Sequence, residues 1–259
     1  MKSIIIKASV SLMIVLFCTP VFAQEKTHIS ITPRIWYAYQ DIPVENYSST
    51  ETFSLPMYGG TLTLSPSFTP NISFLLTVFT GEGDGDVVVL FLAPDINAAK
   101  LEADRDDAEL LVRYNLPNRN ISLHVGGRYV TFDQTFIPSF IEYKAENELE
   151  FWVVEAGLGV TVNITENGRH RLFSNFTFGL SFIDWNYRDT DGLTATGDDT
   201  SPVIDFNAGY QYTVNERLSL SARYRLFTTI VNTEVIIGEV TQDKLVTIHG
   251  PEVALTVTF

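Results

Sequence analysis

The chain has 259 residues with 31 acidic and 17 basic side chains, which gives a formal net charge of −14. Because a nucleic-acid-binding surface has to neutralise phosphates, an acidic chain without a basic stripe excludes nucleic acid as a partner. The single cysteine excludes an intrachain disulfide, so packing and hydrogen bonds hold the fold together.

The first 23 residues have the pattern of a secretory signal peptide. Lys2 and Lys7 give a positive start, an apolar stretch follows, and Ala23 ends a small-residue cleavage site. The apolar stretch is too short for a membrane-spanning helix. Cleavage would leave one domain over 24–259, remove Cys18 and take the net charge to −16. We therefore expect an exported protein.

The rest of the chain alternates apolar and polar residues with period two and shows no helical periodicity. Four short breaks rich in Asn, Pro and Gly centre on Pro70, Asn118, Asn167 and Asn215, and so recur every 48 or 49 residues. Longer acidic stretches separate them. Alternating short turns and long loops predict an all-β fold of about ten antiparallel strands, with eight or twelve as alternatives.

The two faces of the predicted strands differ in charge. One face is apolar and aromatic, without a charged residue. The other carries Arg34, Glu109, Arg113, His124, Arg128, Glu155, Asp205, Arg223, Arg225 and Glu252. A soluble sandwich rarely keeps Arg and Glu at mid-strand on one face in so many segments. A transmembrane barrel requires an apolar exterior and a polar interior, so we predict that these ten side chains form a charge network in the lumen.

Aromatic residues on the apolar face fall near the two ends of the strands. The two predicted groups are Phe68, Tyr114, Tyr210, Tyr212 and Phe259 on the side of the short turns, and Tyr37, Tyr39, Tyr129, Trp152 and Phe182 on the side of the long loops. Aromatic side chains favour the headgroup depth of a membrane. We therefore expect two outward-facing aromatic belts.

The chain ends on VALTVTF, in which Val253, Leu255, Val257 and Phe259 alternate with small polar residues. Together with the signal peptide and the hairpin pattern, this ending resembles the Gram-negative outer-membrane β-barrels. The resemblance implies a single transmembrane barrel in the outer membrane, with short periplasmic turns and long acidic extracellular loops. It also implies that the barrel-assembly machinery recognises these four residues, and that outer-membrane lipid and lipopolysaccharide surround the barrel.

Five Arg and four carboxylates in a narrow lumen need ion pairing, because unpaired buried charges are costly. Two interpretations remain open. In one, the ion pairs form a plug that keeps the barrel rigid. In the other, Arg113, Arg128, Arg223 and Arg225 form a constriction that selects a solute. We therefore expect a porin-like or structural barrel, which as a narrow channel would pass small solutes.

The long loops carry most of the excess negative charge and indicate an alternative function. They are predicted near 43–53, 81–105, 133–149, 188–202 and 229–243. Such loops would make the protein a surface-exposed binding protein that engages cations, lipopolysaccharide or a host ligand. The apolar stretch Val87 to Ala93 lies in one loop and would extend a strand, fold inward or contact a partner.

Alternating Asp and Gly in two loops indicate weak candidates for a Ca²⁺ site. The candidate ligands are Asp84, Asp86, Asp189 and Asp191, since Ca²⁺ takes hard oxygen ligands. None of them follows a full calcium-loop spacing. We expect no other cofactor.

The sequence lacks the site patterns of catalytic outer-membrane barrels. Outer-membrane proteases of similar strand number use an Asp-x-His element in their outer loops, which is absent here. Outer-membrane lipid hydrolases use His-x-Ser, and the only match, His28-Ile29-Ser30, lies at the periplasmic start of the first strand. We therefore predict that the chain is not an enzyme, and an outer-membrane hydrolase stays open as an alternative only because the loops are long.

Overall fold

Ten β-strands make up the structure, a computed structural model that describes residues 27–43, 50–89, 97–117, 119–138, 144–233 and 242–259. The strands are β1 (His28–Pro43), β2 (Thr50–Ser65), β3 (Ile72–Val89), β4 (Asn97–Asn115), β5 (Ile121–Pro138), β6 (Ala145–Asn163), β7 (His170–Asp189), β8 (Thr194–Asn215), β9 (Leu218–Thr233) and β10 (Gln242–Thr258). No helix in this part of the chain is long and apolar enough to cross a membrane. The predicted signal peptide lies outside the described residues.

Pairing between strands closes the sheet into a barrel. Each strand pairs antiparallel with its neighbours along the chain, and β1 pairs with β10. At this seam the Phe259 N–H donates a 2.8 Å hydrogen bond to the Ile29 carbonyl. Closure satisfies the backbone groups of both edge strands, which is the condition for crossing a bilayer with strands. The predicted all-β antiparallel barrel of ten strands is confirmed.

Four short turns lie together with the carboxyl terminus at one end of the barrel, which we call the turn end. In the β6–β7 turn, Gly168 has a φ of 63° and its N–H donates to the Thr165 carbonyl. Glycine adopts this left-handed conformation without steric cost. In the β8–β9 turn, Asn215 Oδ1 accepts the Arg217 N–H at 2.9 Å. The turns predicted from the Asn, Pro and Gly clusters are confirmed, and the opposite end is called the loop end.

The outer surface near the turn end is apolar and exposed. On β7 it runs from Leu172 to Phe182, and on β6 Val154 is 62% exposed. Of the predicted belt residues, Phe68, Tyr114, Tyr210 and Phe259 are exposed toward the turn end and Tyr37, Trp152 and Phe182 toward the loop end, and further aromatic residues, among them Phe178, Phe206 and Tyr224, are exposed between them. We call the strand portions between these belts the membrane-spanning segments, since an apolar band between aromatic girdles is typical of transmembrane barrels.

Much of the sequence predicted as loop continues the strands beyond the loop-end belt. The predicted loop 81–105 instead belongs largely to β3 and β4. Glu102 and Asp104 are exposed on the outer wall, whereas Leu101 and Ala103 are buried inside. The outward acidic residues resemble a loop in composition, but the inward residues keep the period of a strand.

The apolar stretch Val87 to Ala93 divides at the end of β3. Val87, Val88 and Val89 continue this strand, because their backbones pair with residues of β4. Strand extension therefore accounts for the first three residues. The rest of the stretch lies outside the described residues.

An apolar layer fills the interior toward the loop end, where the sequence predicted a polar lumen. Its largest buried members are Trp36, Phe53, Leu55, Met57, Phe79, Phe132, Phe151, Ile183, Trp185 and Phe227. Trp36 and Leu55 are fully buried. The barrel interior thus has two kinds of lining, polar near the turn end and apolar near the loop end.

Candidate functional site

A layer of charged side chains crosses the barrel between its polar and apolar parts. The structure places all ten sequence-predicted lumen residues on the inner face, where each is buried or half-buried. Glu155 and Glu252 are among the most deeply buried side chains in the described residues. The alternation of the strands positions these residues, because successive side chains point to opposite faces.

Arg128 on β5 is the centre of this charged layer. Its Nη2 lies 2.8 Å from Glu109 Oε1 and 2.8 Å from Asp205 Oδ2, and its Nε lies 3.3 Å from Asp107 Oδ1. The Arg128 side chain is only 1% exposed. A buried guanidinium with three carboxylate partners meets the condition under which a buried charge is tolerated.

Asp205 on β8 extends the ion pairing across the lumen, beyond the strands that neighbour β5. Its Oδ2 accepts from Arg128 and also from Arg225 Nη2 on β9, at 2.5 Å. Arg128 and Asp205 are 77 residues apart in the chain, so their contact joins strands that are not neighbours in the sheet. The layer therefore bridges the lumen as well as lining it.

A second cluster of ion pairs lies at the seam where the barrel closes. Glu252 on β10 contacts Arg34 on β1 at 3.4 Å and Arg223 on β9 at 2.7 Å. The Glu252 side chain is 1% exposed. This carboxylate links the first strand to the last two through buried charges.

Arg105 and Asp107 belong to the charged layer but were not predicted, because they fall at the edge of a segment assigned to a loop. Both are buried, and Arg105 Nη2 lies 3.2 Å from Asp107 Oδ2. The alternation of β4 could have identified them, because every second residue of this strand faces inward. Leu101 and Ala103 precede Arg105 and Asp107 on that face, and Glu109 follows them. The outward Asp104 and Asp106 obscured this series.

Aromatic rings connect the charged layer to the apolar layer. Arg105 and Arg128 lie over the Phe227 ring, with 5.0 Å and 5.2 Å from Cζ to the centroid. Arg225 lies over Trp36 at 5.0 Å. Such cation–π contacts stabilise desolvated cations. The two layers therefore form one continuous block of side chains.

Glu155 on β6 has an unusual position in the block. Neither of its carboxylate oxygens has a hydrogen-bond partner among the described residues, and the same holds for Arg128 Nη1 and His124 Nδ1. Gly126 and Gly179 lie directly opposite Glu155, so the flanking positions on β5 and β7 carry no side chain. Buried polar atoms are nearly always hydrogen-bonded to protein or water, so the partner of the Glu155 carboxyl is either lumen water or the nearby Glu109 side chain.

Hydroxyl and amide side chains line the lumen between the charged layer and the turn end. Ser30 pairs with Thr258 and Thr32 with Thr256, each at 3.0 Å between hydroxyl oxygens. His124 Nε2 lies 2.8 Å from Thr177 Oγ1. This half of the lumen is polar enough to hold water that reaches Glu155.

The four metal candidates do not come together in the structure. Asp84 lies on β3, 3.6 Å from Lys100 Nζ. Asp189 Oδ1 accepts the N–H groups of Asp191 and Leu193 in the β7–β8 turn, and the Asp86 side chain lies outside the described residues. Within the part of the chain that the structure describes, no group of three His, Cys, Asp or Glu is arranged for a metal.

The outer wall beyond the loop-end belt carries surface ion pairs. Lys144 Nζ and Arg188 Nη2 contact Glu146 at 2.6 Å and 2.5 Å. Hydrogen bonds from Lys144 and Arg188 lower the pKa of Glu146. These groups lie outside the membrane-spanning segments, where solvent screening leaves each pair little weight in stability.

Comparisons with known proteins identify the fold. No protein-family model matches the chain, and no curated protein matches it. The outer membrane protease OmpT from Escherichia coli is similar in structure, with a TM-score of 0.56 at 12% identity over 90% of this chain and 96% of OmpT. The translocator domain of the autotransporter NalP from Neisseria meningitidis has a TM-score of 0.52 at 10% identity over 99% of this chain and 97% of that domain.

The likeness to OmpT contradicts the prediction that the chain is not an enzyme. That prediction relied on the absence of known catalytic site patterns, and it is wrong. A structurally similar barrel, OmpT, is a protease, so this architecture does not exclude catalysis. At 12% identity the likeness shows the fold alone and identifies no catalytic residue here. The closed ten-strand barrel, its apolar outer band and these two structures show together that the chain has the fold of the outer-membrane β-barrels.

Proposed function

We propose that this chain is an integral outer-membrane protein whose barrel is closed at mid-height, so that it serves as a rigid structural barrel with an acidic wall outside the cell. The turn end faces the periplasm and the loop end faces outward. The observation that carries the proposal is the block of buried charged and aromatic side chains across the lumen, centred on Arg128 and Phe227.

The energetics of the block favour a closed barrel. A solute path through mid-height would have to separate Arg128 from its three carboxylates or displace Trp36 and Phe227. Arg128, Trp36 and Phe227 are nearly fully buried. Removing one partner of a buried ion pair costs about 3–5 kcal/mol. Since every 1.4 kcal/mol is about tenfold in a population, an open state would be rare at rest.

Planar-bilayer conductance of the purified protein tests this proposal. We expect the wild type to give no sustained current, and a Trp36→Ala/Phe227→Ala double variant to give one. Trp152→Ala is the matched control, because Trp152 is exposed on the outer face. Heat-modifiable gel mobility verifies that each variant is folded. Sustained current through the folded wild type would overturn the closed barrel in favour of the narrow channel.

A second candidate function is cation-assisted binding at the acidic wall. The strand register places Glu82 opposite Asp104, Asp104 opposite Asp133 and Asp133 opposite Glu148. Carboxylates directly opposite on neighbouring strands supply hard oxygen ligands that a divalent cation can bridge. A cleft of about 510 Å³ between β3, β4 and β5 includes Glu82, Asp104 and Asp133.

Thermal unfolding with and without Mg²⁺ tests the second candidate. We expect Mg²⁺ to raise the melting temperature of the wild type and to lose this effect in Asp104→Asn/Asp133→Asn. Asp191→Asn serves as the control, since this residue lies in the β7–β8 turn away from the cleft. An equal Mg²⁺ effect in the wild type and the double variant would exclude the wall as the binding surface. Bridging to lipopolysaccharide phosphates would follow from the same chemistry.

A further inference from the structure

Three polar side chains meet on the outer wall of the barrel, away from the charged layer in the lumen. They are Tyr224 on β9, His249 on β10 and Asp41 on β1, so the group crosses the seam at which the barrel closes. Tyr224 is 49% exposed, and the side chains of His249 and Asp41 are 24% and 28% exposed. The group is therefore accessible from outside the barrel.

The contacts of His249 have the order of a proton relay. The Tyr224 hydroxyl lies 2.5 Å from His249 Nδ1. On the other side of the ring, His249 Nε2 lies 3.2 Å from Asp41 Oδ2. Because a carboxylate only accepts hydrogen bonds, the neutral ring carries its proton on Nε2, and Nδ1 accepts from the hydroxyl. A hydroxyl, an imidazole and a carboxylate in this order are the arrangement in which a base activates a nucleophile.

Ring packing and the backbone of the seam hold the histidine in this orientation. The Tyr224 ring stacks on the His249 ring with centroids 5.9 Å apart, and the Tyr39 ring lies 6.1 Å from it on the β1 side. A Cβ on Gly250 would lie 2.1 Å from the Tyr37 carbonyl oxygen. Only glycine therefore allows β10 to come this close to β1 beside His249.

The relay lies at the loop-end aromatic belt. His249 is directly opposite Tyr39, and Tyr37 is an exposed residue of this belt. Belt residues mark the depth of the lipid headgroups, where water reaches the ester bonds of the acyl chains. The next outward row holds Thr247 and Thr228, with 3.1 Å between their hydroxyl oxygens. A lipid ester at this depth meets a hydroxyl with its base, beside hydroxyl donors for a developing oxyanion.

A histidine at the turn end makes only some of these contacts. His170 Nδ1 hydrogen-bonds to the Tyr210 hydroxyl, and the His170 ring lies 5.0 Å from the Tyr212 ring. Among the described residues, His170 has no carboxylate partner. Nothing there holds one tautomer of the ring or stabilises its protonated form. The Tyr210 pair is thus a control that the chain itself offers.

We propose that Tyr224 and His249, positioned by Asp41, hydrolyse an acyl ester of a lipid in the outer leaflet. The inference rests on the proposed orientation in the outer membrane, but it does not depend on a closed lumen.

The reaction has two steps, with water as the second reactant. In the first, Tyr224 Oη bonds to the ester carbonyl carbon while His249 Nδ1 takes the hydroxyl proton. The bond from that carbon to the alcohol oxygen breaks, and His249 returns the proton to the leaving alcohol. In the second step, water attacks the acyl-tyrosine and gives a proton to His249. The fatty acid leaves, and the same proton restores the Tyr224 hydroxyl. Asp41 stabilises the protonated ring in both steps.

Fatty-acid release by the purified, folded protein tests the proposal. The protein is incubated separately with lipopolysaccharide and with phosphatidylethanolamine vesicles, and mass spectrometry of the released fatty acid shows which lipid is the source. We expect Tyr224→Phe and His249→Gln each to lower the rate about a hundredfold, since both remove the activated nucleophile. Tyr210→Phe is the matched control and should keep the wild-type rate. Heat-modifiable gel mobility verifies that each variant is folded.

The positioning role of Asp41 has its own readout. We expect Asp41→Asn to lower kcat with little change in KM, and Asp41→Glu to restore part of kcat, because a carboxylate again holds the ring. An Asp41→Asn variant with a raised KM and an unchanged kcat would show that Asp41 acts in lipid binding instead.

A covalent probe locates the nucleophile. A fluorophosphonate forms a bond between phosphorus and an activated hydroxyl oxygen and releases fluoride. We expect the adduct on Tyr224, at least tenfold less of it in His249→Gln, and none on Tyr210. Absence of fatty-acid release from both lipids would overturn the proposal, and so would equal release by the wild type and Tyr224→Phe. Labelling of Tyr224 that His249→Gln leaves unchanged would refute His249 as the base. Conductance of the same samples tests the closed barrel independently.

Discussion

Arg128 on β5 and Asp205 on β8 meet inside the barrel at 2.8 Å, although their strands are not neighbours in the sheet. Both side chains are nearly fully buried. A contact of this kind ties together strands that do not pair in the sheet, so the charged layer acts as an internal brace as well as a barrier.

Replacement of Arg128 by Leu should destabilise the barrel by about 3–5 kcal/mol, because Asp107, Glu109 and Asp205 lose a buried counter-charge. Urea unfolding in detergent, followed by tryptophan fluorescence, measures this change. Arg119→Leu is the control, since Arg119 is exposed in a turn and its loss should change stability by less than about 0.5 kcal/mol. Equal midpoints for the two variants would show that the brace has no energetic role.

Replacement of Glu252 by Gln should loosen the seam. Arg34 on β1 and Arg223 on β9 then lose their shared carboxylate, and the cost of a lost charged hydrogen bond is about 1.5–3 kcal/mol. Hydrogen exchange should accelerate at the amides that join β1 to β10 and remain unchanged between β5 and β6. Glu216→Gln, an exposed turn change, should leave both regions as they are. Uniform acceleration around the barrel would contradict a local role.

Replacement of Phe227 by Ala should cost about 3–5 kcal/mol, the usual range for a buried Phe. It removes a buried ring and the cation–π contacts of Arg105 and Arg128. The control is Phe206→Ala, because Phe206 lies on the outer face and is 38% exposed. Thermal or urea unfolding measures both variants. A smaller loss for Phe227 than for Phe206 would refute the interior block.

Deletion of Phe259 should impair assembly in cells and lower the yield of folded barrel in the outer membrane. Its backbone N–H bonds to Ile29 at the seam, and its side chain is 70% exposed. Heat-modifiable gel mobility of membrane fractions measures the folded fraction. Phe68→Ala is matched in exposure, at 68%, and should assemble normally. If the deletion variant assembled normally, Phe259 would not be required as an assembly signal.

Sequence periodicity predicted the barrel and ten of its lumen residues because a strand alternates its side chains whatever its partners are. Arg34 and Glu252 were therefore assigned to the interior without any knowledge of their contact. Arg105 and Asp107 were missed because acidic neighbours on the outer wall resemble a loop. The charges on the inner face do not predict the apolar layer, because Trp36 and Phe227 share that face with charged residues.

The partners within the lumen could not be predicted from the sequence. Which inward residues meet depends on the tilt and stagger of the strands, which are properties of the closed barrel. Nothing in the sequence near Arg128 indicates that it contacts Asp205, which is 77 residues away. Likewise, nothing near Glu155 indicates that its carboxylate oxygens are buried without an ion pair.

The up-and-down order of the strands has a consequence for how the chain folds. Every described strand pairs with its successor through a local hairpin, whereas β1 and β10 must meet over the whole chain length. Arg34 and Glu252 are 218 residues apart, so their ion pair can form only when the ends are joined. Pairing of β1 with β10 closes the longest loop in the chain and therefore has the largest entropic cost of closure. We expect it to be a late step in folding. Once the barrel is closed, we expect the buried ion pairs of Glu252 with Arg34 and Arg223 to slow separation of β1 from β10.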